Sequence, residues 1–125
     1  MWIDSFHKVL CSDLEKTFID CLFKPNYAGG IVEIARAIYI SKDKIKYDRL
    51  LNYAKRFGSQ AVIKRLGFLL ELLEMQTNII DEFLELKTAS YIALDTELPK
   101  KGTYNKRWSV LQNLETETIK SAIYT

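Results

Sequence analysis

Apolar residues recur along this chain with the 3.6-residue period of helices, and the period breaks at proline, glycine and capping residues. Leu14, Phe18, Cys21 and Leu22 mark one inward face of a first helix, which runs to about Phe23 and is stopped by Pro25. Ser12-Asp13-Leu14-Glu15 at its start fits a capping box, in which the serine oxygen accepts from a backbone N–H and the glutamate reaches back. Ile31, Ile34, Ala35 and Ile38 repeat the spacing and predict a second helix to about Ile40. Leu50, Ala54 and Phe57, widened by Leu51, predict a third over Tyr47 to Phe57.

Gly58 then ends that helix by taking positive φ without steric cost, and Ser59 caps the next. Val62, Leu66, Leu69, Leu70 and Leu73 lie on one face of this fourth helix. Gly67 interrupts it, at about 1 kcal/mol relative to alanine, and a closely approaching neighbouring backbone would compensate. Thr77 or Asn78 caps a fifth helix to about Lys87, with Ile79, Phe83 and Leu86 inward.

Beyond it the pattern changes. Ser90 to Asp95 is a short aromatic and β-branched run suited to a strand, and Trp108, Val110 and Leu111 open a second that ends near Leu114. Pro99 and Gly102 make the intervening Leu98 to Asn105 a loop. Glu115 to Tyr124 predicts a terminal helix with Ile119, Ala122 and Ile123 inward. The first eleven residues alternate weakly around Trp2, Phe6, Val9 and Leu10, as an extended segment or strand. The expectation is a mainly α (α+β) fold: a compact bundle of five to six helices with a small two-stranded β element near the C-terminus. All 125 residues form one domain, with 1–11 its least defined part.

Charge adds a second pattern. The net charge is only +2. Lys42 to Arg65 nevertheless holds eight basic and two acidic residues, Glu71 to Glu97 seven acidic and one basic, and Lys100, Lys101, Lys106 and Arg107 follow without an acid. Such a dipolar chain can present one face to an anionic partner, or the charges can simply solvate outer surfaces. The pairs Lys55/Arg56 and Lys64/Arg65 flank the Gly58 break, which gives residues 47–73 the outline of a helix-turn-helix. In that outline Gln60 is the main side chain able to read a base. Tyr104 and Trp108 interleave with the later cations, a composition that holds nucleotides or RNA, or that anchors a loop to a core while its lysines face water.

No catalytic constellation accompanies these charges. His7 is the only histidine, and nothing orients it toward Cys11 or a serine. Cys11 and Cys21 lack companions at metal-ligand spacing and read as reduced thiols. Asp81, Glu82 and Glu85 form a solvated acidic face instead of a metal site. Gly29-Gly30 lacks the sequence of a phosphate loop and reads as a tight turn. No apolar run spans a bilayer and no signal peptide opens the chain, so a cytoplasmic protein without cofactor or metal is expected.

Four segments carry a resemblance. SDLEKTFIDCL (Ser12 to Leu22), PNYAGGIVEIARA (Pro25 to Ala37), RFGSQAVIKRLGFLLE (Arg56 to Glu71) and LDTELPKKGTYNKRWSVLQN (Leu94 to Asn113) occur in the order seen in AbiEi-type antitoxins. The chain resembles the C-terminal domain of that family, from the type IV toxin–antitoxin (abortive-infection) systems. The resemblance implies a cytoplasmic, non-enzymatic antitoxin that counteracts a nucleotidyltransferase-type toxin. In the family a winged-helix domain precedes this one and represses the operon; only about a dozen residues precede SDLEKT here, so that domain is expected to be missing. Lys55, Arg56, Lys64, Arg65, Lys100, Lys101, Lys106 and Arg107 are then the expected contacts for the toxin or for nucleic acid. The alternative is a direct DNA- or RNA-binding transcriptional regulator using residues 47–73.

Overall fold

A computed structural model describes residues 14–25, 29–75, 78–96 and 98–124. Among the described residues there are six helices: α1 (Leu14–Phe23), α2 (Ile31–Ile40), α3 (Tyr47–Phe57), α4 (Gln60–Leu72), α5 (Ile79–Leu86) and α6 (Thr116–Tyr124). Three short strands, β1 (Ile92–Ala93), β2 (Thr103–Asn105) and β3 (Val110–Gln112), lie between α5 and α6. The fold is mainly α with a small β element. The expected extended N-terminal segment, Ser12, His7 and Cys11 fall outside the described residues, as does Thr77.

The periodic stripes become the core. Phe18 and Leu22 of α1, Ile31, Ile34 and Ile38 of α2, Leu50 and Ala54 of α3 and Phe83 of α5 are fully buried. Around them α1 packs on α3 and α4, α5 on α4, and α6 on α2. At the break between α3 and α4, Gly58 is left-handed (φ 72°) and its N–H returns to the Ala54 carbonyl at 3.1 Å. The Ser59 side chain accepts from Val62 N at 3.4 Å, so both ends are closed as their residues predict. Asn78, by contrast, makes no side-chain cap for α5.

Two features differ from the expectation. The β element has three strands, in the order β1-β3-β2, with β1 parallel and β2 antiparallel to β3. The added strand is Thr103–Asn105, inside the segment expected to be loop; it is too short to show a period and exists through its pairing with β3. Asn113 fastens the connection before it, accepting from Asp95 N at 2.9 Å and donating to the carbonyls of Asp95 at 2.8 Å and Pro99 at 3.2 Å.

The second difference is α4. Every residue from Val62 to Leu70 is buried, so it is the central helix of the bundle and not one with a single apolar face. Gly67 is the point of closest approach, and what approaches is the Trp108 indole, not a backbone: a Cβ at Gly67 would overlap the six-membered ring. Trp108 is itself fully buried, which places the end of the loop after β2 inside the core.

Candidate interaction face

The eight cations expected to meet a partner separate into two kinds. Lys64 and Arg65 lie inside the protein, with 0% and 4% of their surface exposed, and the expectation that they are displayed beside Lys55 and Arg56 is corrected. The reason is their position on α4, whose outer side is covered by α5 and the sheet. Lys64 Nζ donates to Thr88 Oγ1 at 3.0 Å, to the Ser90 carbonyl and to Ser90 Oγ at 3.4 Å. Burial pushes its pKa below the ordinary lysine value, and the positive charge of Lys87 pushes the same way.

Arg65 is a buried tie. Its Nη1 donates to the Leu22 carbonyl at 2.9 Å, while Nε and Nη2 both donate to the Ala93 carbonyl at 3.1 and 3.0 Å. Leu22 lies in the last turn of α1, where carbonyls have no helical partner, and a guanidinium there also suits the negative end of the helix dipole. Burial lowers the arginine pKa and the nearby Asp95 carboxylate opposes that shift.

Arg107 is likewise committed, though at the surface. Its Nε lies 2.8 and 2.9 Å from the two Glu71 oxygens and its Nη2 2.8 Å from Oε2, while Trp108 Nε1 donates to Glu71 Oε1 at 3.0 Å. Burial alone would raise the Glu71 carboxyl; the hydrogen bonds from Arg107 and Trp108 and the charge of Arg107 outweigh it and hold the pKa below the ordinary value. Lys100, Lys101 and Lys106 are exposed.

That leaves Lys55 and Arg56 at the join. Both are exposed in the last turn of α3. With Arg49, Asn52 and Tyr53 they line an open cleft of about 470 Å³. The spacing explains the grouping, because residues 49, 52, 53 and 56 stand at i, i+3, i+4 and i+7 on the side opposite Leu50 and Ala54. Arg49 is held in place: its Nη2 donates to Tyr53 Oη at 3.2 Å, its Cζ lies 5.8 Å from the Tyr53 ring, and its Nε is 3.6 Å from Glu15 Oε1. Glu15, expected to cap α1, is buried and accepts from Lys46 N at 3.2 Å, so one carboxylate links α1 to the start of α3.

A hydrophobic edge adjoins this face. Phe23 at the end of α1 and Phe57 at the end of α3 contact each other with ring centroids 5.0 Å apart, yet remain 44% and 40% exposed. Cations, an amide and two accessible rings in one area match the composition that recognition surfaces favour. Arg49, Asn52, Tyr53 and Phe23 were not picked out from sequence as part of a site, although the polar stripe of α3 is the complement of its apolar one; Phe57, expected on the buried face with Leu50 and Ala54, is instead left partly open at the helix end.

The helix-turn-helix outline meets a geometric obstacle. α4, which would have to be the reading helix, is enclosed, and Gln60 is engaged: its Nε2 donates to the Leu86 carbonyl at 3.0 Å and its Oε1 accepts from Thr88 N at 2.8 Å. Among the described residues no group of three or more His, Cys, Asp or Glu is placed to hold a metal ion, and Asp81, Glu82 and Glu85 face solvent. Cys21 is a half-buried free thiol, raised to about 11 by burial and by the charge of Asp20. No described helix is long and apolar enough to cross a membrane. Compared with protein-family models, curated proteins and solved structures, the chain matches none of them.

Proposed function

We propose that this chain is a non-enzymatic interaction domain of antitoxin type, which engages a nucleotidyltransferase-type toxin through the exposed face of α3. The toxin class comes from the sequence resemblance. The observation that supports the face is the clustering of Arg49, Asn52, Lys55 and Arg56 around one cleft beside the exposed Phe23–Phe57 pair. The other expected pair at the join, Lys64 and Arg65, is occupied by internal hydrogen bonds. An acidic patch with an apolar centre on the toxin would complement this surface: ion pairs at the rim steer the encounter and the two phenylalanines supply desolvated area.

The reading is tested by co-expression with the nucleotidyltransferase-type toxin of the same operon. Wild-type protein restores growth, and Lys55→Glu/Arg56→Glu abolishes both rescue and co-purification while remaining folded. Absence of rescue by the wild type, or full rescue by the double variant, overturns it. Nucleic-acid binding through the same cations is a distinct outcome: the double variant would lose duplex DNA in a strongly salt-dependent manner and keep the toxin.

A further inference from the structure

We propose that the outer face of the small sheet, at Tyr91 and Tyr104, is a binding site for single-stranded nucleic acid. The strand register defines that face. Tyr104 of β2 pairs with Leu111 of β3, which pairs with Ala93 of β1, so these three residues project from the same side of the sheet. Val110, one position along β3, projects from the other side and is fully buried in the main core. Leu111 is 6% exposed yet stands apart from that core.

Over this face the two tyrosines are left open. Tyr104 is 59% and Tyr91 42% exposed, although both are large enough that a fold seeking only stability would bury them. Their ring centroids are 5.0 Å apart and the planes meet at 80°. The rings therefore make a corner: a planar base lies flat on one ring with its edge against the other, and a phenol hydroxyl can donate to or accept from a base edge. Trp108, the other aromatic of this segment, is fully buried, so the structure divides the aromatic–basic stretch into an anchor and an exposed platform.

The charges fit the same ligand. Lys100 and Lys101 precede β2, separated from it by Gly102, Lys106 immediately follows it, and all three are exposed. With Arg107 bound to Glu71, they are the cations available at the two ends of the strand that carries Tyr104. An extended phosphate backbone running along β2 meets cations at both ends while a base stacks between them. A duplex, whose bases are already stacked, gains nothing from the tyrosines. This site shares no residue with the α3 face and does not rest on the antitoxin reading.

The test is fluorescence anisotropy of the full chain with labelled decauridylate, decathymidylate and a ten-base-pair duplex, between 50 and 200 mM salt. Either single strand is expected to bind, with a salt slope of about −2 for three neutralised phosphates. The duplex binds several-fold more weakly. Tyr104→Ala and Tyr91→Ala each weaken single-strand binding by roughly tenfold, Tyr104→Trp preserves it, and Lys55→Glu/Arg56→Glu leaves it unchanged. No binding of either strand at 50 mM salt, affinity of Tyr104→Ala within twofold of wild type, or equal binding of the duplex overturns the proposal.

Discussion

The six-membered ring of Trp108 occupies the space that a side chain at Gly67 would need. The glycine in the middle of α4 is thus a receptor for a buried indole two positions before β3. Gly67→Ala would gain about 1 kcal/mol of helix propensity but must displace a fully buried indole, and overpacking of this kind costs about 1–3 kcal/mol or more. The expected result is net destabilisation, read as a lower urea midpoint with unchanged slope. Trp108→Leu in the same background recovers part of the loss.

Arg65 carries the largest single penalty. Arg65→Met keeps much of the side-chain volume but removes the donors to the Leu22 and Ala93 carbonyls. Leaving a buried acceptor without a donor costs about 1–3 kcal/mol, and Asp95 also loses its cationic neighbour. A loss of roughly 2–4 kcal/mol is expected by chemical denaturation.

Lys64 separates a structural role from a recognition role. Lys64→Met retains the buried stem and removes a desolvated charge, while Ser90 and Thr88 are exposed and can turn to water. Stability is expected to stay within about 1 kcal/mol of wild type, and partner affinity to be unchanged. Weakened affinity in this folded variant would mean that Lys64 reaches a partner after all. In the wild type, a lowered folded-state lysine pKa means that the unfolded chain holds more protons just below pH 10.5. Stability from this group therefore rises as pH climbs through that window.

Glu71 gives a dependence of the same sign on the acid side. Its folded-state pKa lies below the ordinary 4.5, so its contribution is fully present above that value and is lost as pH falls through the folded pKa. Glu71→Gln is expected to cost about 1 kcal/mol at pH 7, kept modest because the carboxylate is partly solvated and the ion pair screened. Thermal melts of the variant and wild type should converge as pH falls below 4.5 and through the folded-state pKa of Glu71.

On α3, Lys55→Glu/Arg56→Glu alters only exposed residues in a last turn. Introducing acids at the negative end of the helix dipole is mildly unfavourable, and the expected stability change is within about 1 kcal/mol. Binding of an acidic partner is expected to fall at least tenfold, with the loss visible chiefly in the association rate.

The helices were legible because each has at least three apolar residues repeating on one face, bounded by residues that close helix ends, as at Phe57-Gly58-Ser59. The fate of Lys64 was not legible by that rule. A period of 3.6 places it opposite Val62, where a charged residue normally faces water. The signal against exposure was present in Ile63, Gly67 and Phe68, which flank it on the same side and interrupt the polar stripe of Gln60, Lys64 and Glu71. Their meaning depends on α5 and the sheet covering that side, a long-range arrangement no local period encodes. Strand β2 was missed for a similar reason, since its three residues acquire their conformation from β3. The α3 face was half visible: Lys55 and Arg56 stood out as a pair, while Arg49, Asn52 and Tyr53 join them only once the helix is wound.

The guanidinium of Arg65 joins residues 43 positions earlier and 28 positions later in the chain. Its desolvated charge is satisfied only when α1, α4 and β1 are all in place. The helical bundle is therefore not separable from the C-terminal sheet: a fragment ending after α5 would retain α4 with a cation facing a missing strand. Amide protons at the centre of α4 should exchange with solvent only when the whole assembly opens, which makes the described structure one cooperative unit in spite of its mixed architecture.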